Sequence, residues 1–461
     1  MTQQPEPTKQ PQAEKPQRVR RAHRRSSAKR TLREVVVVGG VRTPMGKAGG
    51  MLAHFSAVDL GVQAMRELLA RLPVPKSAID AVIVGNVIQP ANAQNIARVI
   101  ALMAGIPRHV PAHTVHRNCA SGLQAVVDAA QLVQLGRAEV VLAGGVESMT
   151  HAPLLLPDEW REVFERWRKA KSGKERFHAV RAALTAPWRV RIGLLEGLTD
   201  PTIRLNMGQT AEVLAREFAI SREEQDAFAL QSHQRADAAW QSGWFDDEVM
   251  HLFPPPTFAA VHRDEGIRKG LTIEQLKALK PAFERPYGTV TAGNSSQITD
   301  GAAMLLVTHR EKAEAEGWPI LGYLHDWQWA GCDPKRMGLG PVFATAKLFA
   351  RAGLKMADIA RVELNEAFAA QVLAVLKAME SKAFFETHGL GSPIGAPQVE
   401  RLNVHGGAIA LGHPVGMTGA RLVLTLLRQL KQEENGLGLV TLCIGGGQGG
   451  AMLVGSEPWN A

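Results

Sequence analysis

A β-branched run, Glu34-Val35-Val36-Val37-Val38, stops at Gly39-Gly40, and the chain then alternates helical and strand periods in two rounds. In the first round, apolar residues recur at helical spacing over 57–72, a strand pattern covers 79–84 and a polar stop follows at Gly85-Asn86. A helix then opens near Ser121-Gly122, and a strand over 140–143 runs into Gly144-Gly145. The second round repeats this order: a helix over 343–353, a strand over 359–364 stopped by Asn365-Glu366, a helix opening at Thr418-Gly419, and a strand over 438–442 ending in glycines. Such alternation predicts an α/β layer architecture with a mostly parallel sheet, in which 34–40 is a buried parallel strand. Two pseudo-symmetric halves packed face to face would bring equivalent strand ends to one cleft, where α/β sheets bind their ligands.

The remaining segments break the rhythm. Residues 1–33 hold ten Lys or Arg, two Glu and almost no apolar residues, so they read as a disordered basic arm. Its readings are a solvated tail, a polyanion or anionic-membrane contact, a docking segment, or a transit peptide, although no amphipathic period accompanies the Gln/Pro opening. Residues 151–285 read as an inserted loop domain between an N-terminal half, 34–150 completed by about 286–316, and a C-terminal half, 317–461. Within the insertion, 160–196 mixes ten basic and four acidic residues with Trp160, Phe164, Trp167, Phe177, Trp188 and Ile192. That stretch either lies on an anionic membrane or docks a partner, or else it covers the cleft and attracts an anionic substrate. The net charge of +9 is thus concentrated in two segments, and the rest of the chain is slightly acidic. Three scattered cysteines do not make a disulfide framework and point to a reducing compartment. No run approaches the ~20 apolar residues of a spanning helix, and the N-terminus lacks the apolar core of a secretory signal.

Three glycine-bordered junctions carry chemistry. Cys119 precedes the helix opening Ala120-Ser121-Gly122, so its sulfur is expected near unpaired amides at the positive end of a helix dipole, which favours the thiolate. Taken alone it would read as a buried cysteine at a tight turn. His413, between Gly412 and Pro414, sits in a loop of unusual backbone geometry and can serve as base toward a thiol. His405 is the weaker candidate and reads as structural. Cys443 ends a strand before Ile444-Gly445-Gly446-Gly447, whose unobstructed amides can hold an oxyanion. Asn365 can orient a water or donate to a carbonyl. Cys332 is the spare cysteine. No His or Cys pair stands at ligand spacing, so metal binding is not expected, and no Gly-Lys-Ser/Thr supports a phosphate loop.

From about residue 34 to 457 the chain resembles the thiolases. The runs that carry the likeness are Asn118-Cys119-Ala120-Ser121-Gly122, Met207-Gly208-Gln209-Thr210-Ala211-Glu212, Thr291-Ala292-Gly293-Asn294-Ser295-Ser296, Asn365-Glu366-Ala367-Phe368-Ala369-Ala370, Gly412-His413-Pro414 and Cys443-Ile444-Gly445-Gly446-Gly447, all in family order. The resemblance implies the thiolase fold and an acyltransferase using coenzyme A and acetyl-CoA as substrates, with no permanently bound cofactor. It implies that Cys119 carries the acyl group, His413 activates it and Cys443 moves the proton at the acetyl-CoA α-carbon. Asn365, through a water, and His413 would stabilise the enolate, the amides of Cys119 and Gly445 would form a second oxyanion site, and Ser296 and Met207 would line the CoA channel.

The long basic stretch at 151–205 and the run Leu198-Thr199-Asp200-Pro201-Thr202 look more like β subunits of fatty-acid-oxidation complexes than like short-chain biosynthetic members. Asn365, however, is the residue of ordinary thiolases where many β subunits carry histidine, and Asn206 stands where biosynthetic members often carry histidine. The expectation is a 3-ketoacyl-CoA thiolase of β-oxidation, with an acetoacetyl-CoA thiolase and a non-catalytic acyl-CoA or lipid carrier as alternatives. Expected partners are a second or further copies of the chain in a homodimer or homotetramer, a hydratase/dehydrogenase α subunit, and a peripheral membrane contact through 160–196. No specific nucleic acid is expected, and the compartment is the cytoplasm, or the mitochondrion in a eukaryote.

Overall fold

Strands β1 (Val35–Arg42), β2 (Gly46–Lys47), β3 (Ala81–Gly85), β4 (Ala112–Val115), β5 (Val140–Ser148), β6 (Leu154–Leu155), β7 (Arg191–Ile192), β8 (Thr299–His309), β9 (Gly322–Gly331), β10 (Ile359–Leu364), β11 (Leu437–Ile444) and β12 (Gln448–Gly455) make up the sheets of the computed structural model. It describes residues 32–433 and 436–459, so the expected basic arm lies, apart from Leu32 and Arg33, outside the described residues. Ten strands join in the order β10-β11-β12-β9-β1-β8-β5-β3-β4, with β2 beside β8. The order is palindromic in kind. β3 runs parallel to β5 as β10 does to β11, and β5–β8–β1 are antiparallel as β11–β12–β9 are. The two series meet where Val35–Val37 pair with Leu324–Gly322.

The sheet is therefore mixed, and the expectation of a mostly parallel sheet is corrected. β1, expected to be parallel, is antiparallel to both β8 and β9. Its continuous Val run reports burial on both faces, and that burial is the same in either strand direction: Val35 and Val37 enter one core cluster while Val36 and Val38 enter another. Gly144-Gly145 does not stop β5 either, because the strand continues to Ser148. A Cβ on Gly144 would stand 2.1 Å from the Ala303 carbonyl oxygen, and one on Gly145 would stand 2.0 Å from that of Gly416. These glycines mark close backbone approach, not a turn.

Alternate faces of each strand feed three apolar layers. Helices α1 (Ala57–Arg71), begun by a Ser56/Asp59 capping box, and α2 (Ile96–Met103) cover the outer face of the first series. Helices 340–352 and 369–380 cover the outer face of the second. Between the two lie α3 (Ser121–Gln134) and helix 418–432, which share one cluster with Val141 and Ala143 of β5 and Val440 and Leu442 of β11. Most residues of both central helices are buried, polar Arg421 and Gln429 of helix 418–432 among them. Neither has a side-chain N-cap; the first amide of each turns back to the preceding loop instead, Ser121 N–H donating to Asn118 O and Thr418 N–H to Pro414 O, both at 3.0 Å.

The segment between β5 and β8 holds α4 (Glu159–Lys169), α5 (Gly173–Thr185), α6 (Gly193–Gly197), α7 (Met207–Glu217) and α8 (Arg222–Gln241). α4 and α5 pack as a hairpin pinned by Trp160, whose Nε1 donates to the Pro187 carbonyl at 2.9 Å while its ring meets Trp188 edge-on. The β6–β7 pair ties this hairpin down and leads straight into α6. Among the described residues no helix is long and apolar enough to cross a membrane.

The central helices cross with almost no side chain between them: a Cβ on Gly122 would lie 2.8 Å from the Ala420 nitrogen and 2.9 Å from the Gly416 carbonyl oxygen. Gly122→Ala should therefore destabilise the protein by about 1–3 kcal/mol through overpacking. The measurement is the urea midpoint, and an unchanged midpoint would show that these helices can separate without cost.

Candidate active site

Cys119 stands two residues ahead of α3, in a turn closed by Ala120 N–H to Arg117 O at 3.0 Å and Ser121 N–H to Asn118 O at 3.0 Å. Asn118 adopts a left-handed φ of 44°, which asparagine tolerates, and its Nδ2 donates to the Gly445 carbonyl at 2.7 Å. That bond fastens the cysteine turn to the glycine run after β11. Burial pushes the Cys119 thiol above its ordinary pKa; the amides of Gly445 and of Cys119 itself act in the opposite direction, and the Glu147 carboxyl adds to the rise. The expectation that helix-end amides alone favour the thiolate is corrected on this point. The amides are there, but desolvation is larger, so the sulfur needs a base.

The His413 imidazole is buried and held neutral. Its loop begins at Gly412, whose φ of 117° only glycine holds readily, and its own N–H donates to Thr299 Oγ1 at 2.8 Å. The Thr418 hydroxyl donates to Pro414 O at 2.9 Å, so toward His413 Nδ1, 2.6 Å away, it must accept. The proton is thereby assigned to Nδ1 and the lone pair to Nε2. Burial, and after it the Arg421 charge, pull the imidazole pKa down to about 3. Nε2 lies 3.4 Å from Asn365 Nδ2, while Asn365 Oδ1 is buried with no partner.

Cys443 is the next-to-last residue of β11, opposite Gly449 of β12, and is fully buried. Burial and the neighbouring Cys119 sulfur raise its pKa well above the usual thiol range. Gly446 and Gly447 take left-handed φ values of 89° and 78°, which turns the chain sharply after Gly445. Met207 opens α7 behind an Asn206/Gln209 capping box, and its Sδ lies 3.3 Å from where a Cβ on Gly445 would be.

A cavity of about 290 Å³ opens over Cys119. Its lining includes Cys119, Gly445 and Met207 from the expected site, together with apolar Val87, Ile88, Met149, Leu194, Leu198 and Val415. His413, Asn365 and Cys443 are buried beside it without lining it. Ser296 is half-buried, bonded through its N–H to the Ala367 carbonyl at 2.9 Å, and lies off the cavity wall. His405 stacks on Trp244 with ring centres 3.8 Å apart, in keeping with a structural role. Cys332 is packed away, its thiol pushed up to about 12 by burial.

Thr418, Thr299, Glu147 and Asn86 escaped the sequence reading as site residues. Asn86 and Thr418 did stand in runs that marked element boundaries, whereas Glu147 fell beyond the apparent end of its strand.

The family pattern "Thiolase, N-terminal domain" matches residues 35–311, and "Thiolase, C-terminal domain" matches 318–456. The chain belongs to the thiolase family. A 3-ketoacyl-CoA thiolase of Yersinia pestis (strain Pestoides F) is 40% identical over 424 residues, 91% of this chain and 96% of that protein. Among solved thiolase-fold structures, Bacillus anthracis acetyl-CoA acetyltransferase aligns with a TM-score of 0.81 at 37% identity, covering 93% of this chain and 100% of that one. Human mitochondrial 3-ketoacyl-CoA thiolase in complex with CoA aligns with a TM-score of 0.81 at 37% identity, covering 93% and 99%. Family membership makes the protein an acyltransferase that works on CoA thioesters.

With a folded-state pKa near 3 against an ordinary 6.5, His413 should show no protonation between pH 5 and 8 in histidine-selective NMR, with the Nδ1–H tautomer dominant. Thr418→Val should mix the tautomers. The unfolded chain binds the proton first, so this group's share of stability is complete above about pH 6.5 and is lost as pH falls toward 3. A His413 resonance titrating near 6.5 would overturn the assignment.

Proposed function

We propose that the protein is a 3-ketoacyl-CoA thiolase, cleaving 3-ketoacyl-CoA to acetyl-CoA and an acyl-CoA two carbons shorter in fatty-acid β-oxidation. The observation that carries the reading is the Cys119 sulfur under the Gly445 amide, on the wall of a largely apolar cavity, with the loop that follows His413 packed against the start of the helix behind Cys119. His413 takes the Cys119 proton as the sulfur attacks the 3-keto carbon, and the amides of Cys119 and Gly445 receive the developing oxyanion. One such preformed donor is worth roughly 3 kcal/mol. The C2–C3 bond then breaks, leaving the acyl group on Cys119 and the electron pair on the acetyl-CoA enolate. His413 and a water held by the unpartnered Asn365 Oδ1 stabilise that enolate, and Cys443 protonates its carbon. Acetyl-CoA leaves, and the thiol of a second CoA attacks the Cys119 thioester, giving its proton to the Cys443 thiolate while the Cys119 sulfur leaves and recovers its proton from His413. Met207 and Ser296 are assigned to the CoA channel; Met207 has the support of its place on the cavity wall.

The apolar wall of Val87, Ile88, Met149, Leu194 and Leu198 favours acyl chains longer than acetoacetyl. The two halves are taken as 34–150 with 286–316, and 317–461, and the loop domain as 151–285. A homodimer or homotetramer is supported by the edge of β4, which pairs with β3 on one side only among the described residues. The α4–α5 hairpin supports a peripheral contact with an anionic membrane, since Phe177, Leu184 and Trp188 are 67%, 76% and 69% exposed amid ten basic residues. Sequence likeness alone supports a hydratase/dehydrogenase α subunit as partner. The occurrence of relatives in bacteria and mitochondria supports a cytoplasmic or mitochondrial setting.

Steady-state thiolysis should favour a long-chain 3-ketoacyl-CoA over acetoacetyl-CoA, and a marked preference for the latter would replace this reading with the short-chain one. Brief exposure to acetyl-CoA should leave an acetyl group on Cys119, visible by mass spectrometry. Cys119→Ser should lower kcat by about a thousandfold or more; binding without an adduct would point to a carrier. Flotation with anionic vesicles should fail when Phe177, Leu184 and Trp188 are replaced by Ser, and retention would show that the hairpin is not the contact.

A further inference from the structure

The fully buried Glu147, near the end of β5, is left out of the chemistry above although it touches both walls of the cleft. Its Oε1 accepts from Asn86 Nδ2 at 3.0 Å and from the Ile88 N–H at 2.9 Å. Its Oε2 accepts from the Val87 N–H at 3.1 Å and from the Gly416 N–H at 2.9 Å. Val87 and Ile88 line the cavity from one half, while Gly416 belongs to the His413–Gly416 loop of the other, whose Val415 also lines it. Four donors on two oxygens match the acceptor capacity of an ionised carboxylate. No neutral side chain of this size offers the same set.

We propose that Glu147 is a positioning residue for acyl transfer: its carboxylate clamps segment 86–88 to the His413 loop and so fixes the distance at which the imidazole meets Cys119. The packing leaves no slack to do this in another way. A Cβ on Gly416 would lie 2.5 Å from the Val146 carbonyl oxygen, 2.9 Å from Glu147 Oε2 and 3.0 Å from Asn86 Cα, so the loop rests directly on β5 and on the end of β3. The charged and titratable groups around the clamp are few. Asp300 of β8 raises the Glu147 pKa, and the Cys119 thiol is itself raised by Glu147; segments 86–88 and 414–416 present only amides and apolar side chains. Burial pushes Glu147 up to about 7, with the Ile88, Val87 and Gly416 amides opposing the rise. Above about pH 7, where the carboxylate is ionised, the clamp also places a negative charge near the Cys119 sulfur.

The proposal rests on the assignment of Cys119 and His413 as nucleophile and base. Glu147→Gln offers one acceptor oxygen where two stood and turns an NH2 toward the amide donors. It should lower kcat about 10- to 100-fold through misplacement of the reacting groups, with a smaller change in KM. In the same variant the pH midpoint for alkylation of Cys119 by iodoacetamide should move down by about half a unit or more, because a neighbouring negative charge has gone. A more acidic thiol with slower turnover is the signature of lost positioning; general destabilisation does not produce it. A kcat within about twofold of the parent overturns the proposal, as does a loss of kcat with the alkylation midpoint unmoved. Should Glu147→Gln fail to fold, Asn86→Ala removes one donor only; a kcat reduction of severalfold supports the clamp and an unchanged kcat overturns it. Alkylation needs no substrate. Failure of the parent protein to take an acetyl group on Cys119 would instead sink the thiolase reading, a separate result.

Discussion

The backbone contact between α3 and helix 418–432 sets the position of everything reactive in the molecule. Gly122 and Gly419 remove side chains from the crossing, with a Cβ on Gly419 standing 2.3 Å from the Leu123 nitrogen. The turns that precede the two helices are therefore brought against each other, one with Cys119 and the other with His413. Strand ends follow the same pseudo-symmetry. Asn86 follows β3 as Asn365 follows β10, and Glu147 sits near the end of β5 as Cys443 does near the end of β11. One Asn-bearing strand pair holds the loops while its counterpart is the pair assigned to chemistry. A duplicated framework thus supplies both a reacting set and a supporting set from equivalent positions.

The insertion between β5 and β8 adds a second connection. α6 puts Leu194 into the cavity wall with Leu198 just beyond it, and α6 follows directly on β7, which is paired with β6 at the foot of the α4–α5 hairpin. Any contact made by the exposed hairpin is therefore linked through two short paired strands to the wall next to Cys119. The residues proposed to meet the acyl tail and those proposed to meet a surface are thus neighbours in one segment, while Cys119, His413 and Cys443 stand outside it.

Sequence legibility follows the range of the physics involved. The repeat, the helix starts and the Cys119, His413 and Cys443 junctions were readable because glycine, proline and capping preferences act over a few residues. Strand direction in β1 was not, since a run buried on both faces looks the same either way. Gly144-Gly145 was misread as a stop because close approach by Ala303 and Gly416 is a property of distant chain. Glu147 was hidden for the same reason: its donors lie 59 to 61 and 269 positions away. Ser296, placed by family likeness alone, lies off the cavity wall.

Burial around the reacting groups dictates how charge is handled. In the resting state desolvation favours the neutral thiol at Cys119 and Cys443 and the neutral imidazole at His413. A nearby free cation would stabilise a thiolate outright, and Arg421 is close enough to lower the His413 pKa. Its Nη1 pairs with Glu363 Oε2 at 2.9 Å, while Gln429 donates to the other carboxylate oxygen at 2.9 Å. No cation is among the groups that shift Cys119 or Cys443, so under the proposed mechanism ion formation in the cleft depends on proton transfer between neighbours and on fixed amide dipoles. Such a site has little tolerance for a loop shifted by even an ångström, because no long-range charge compensates for a lost hydrogen bond. The anchoring of the His413 loop at Thr299, Thr418 and Glu147 follows from that requirement.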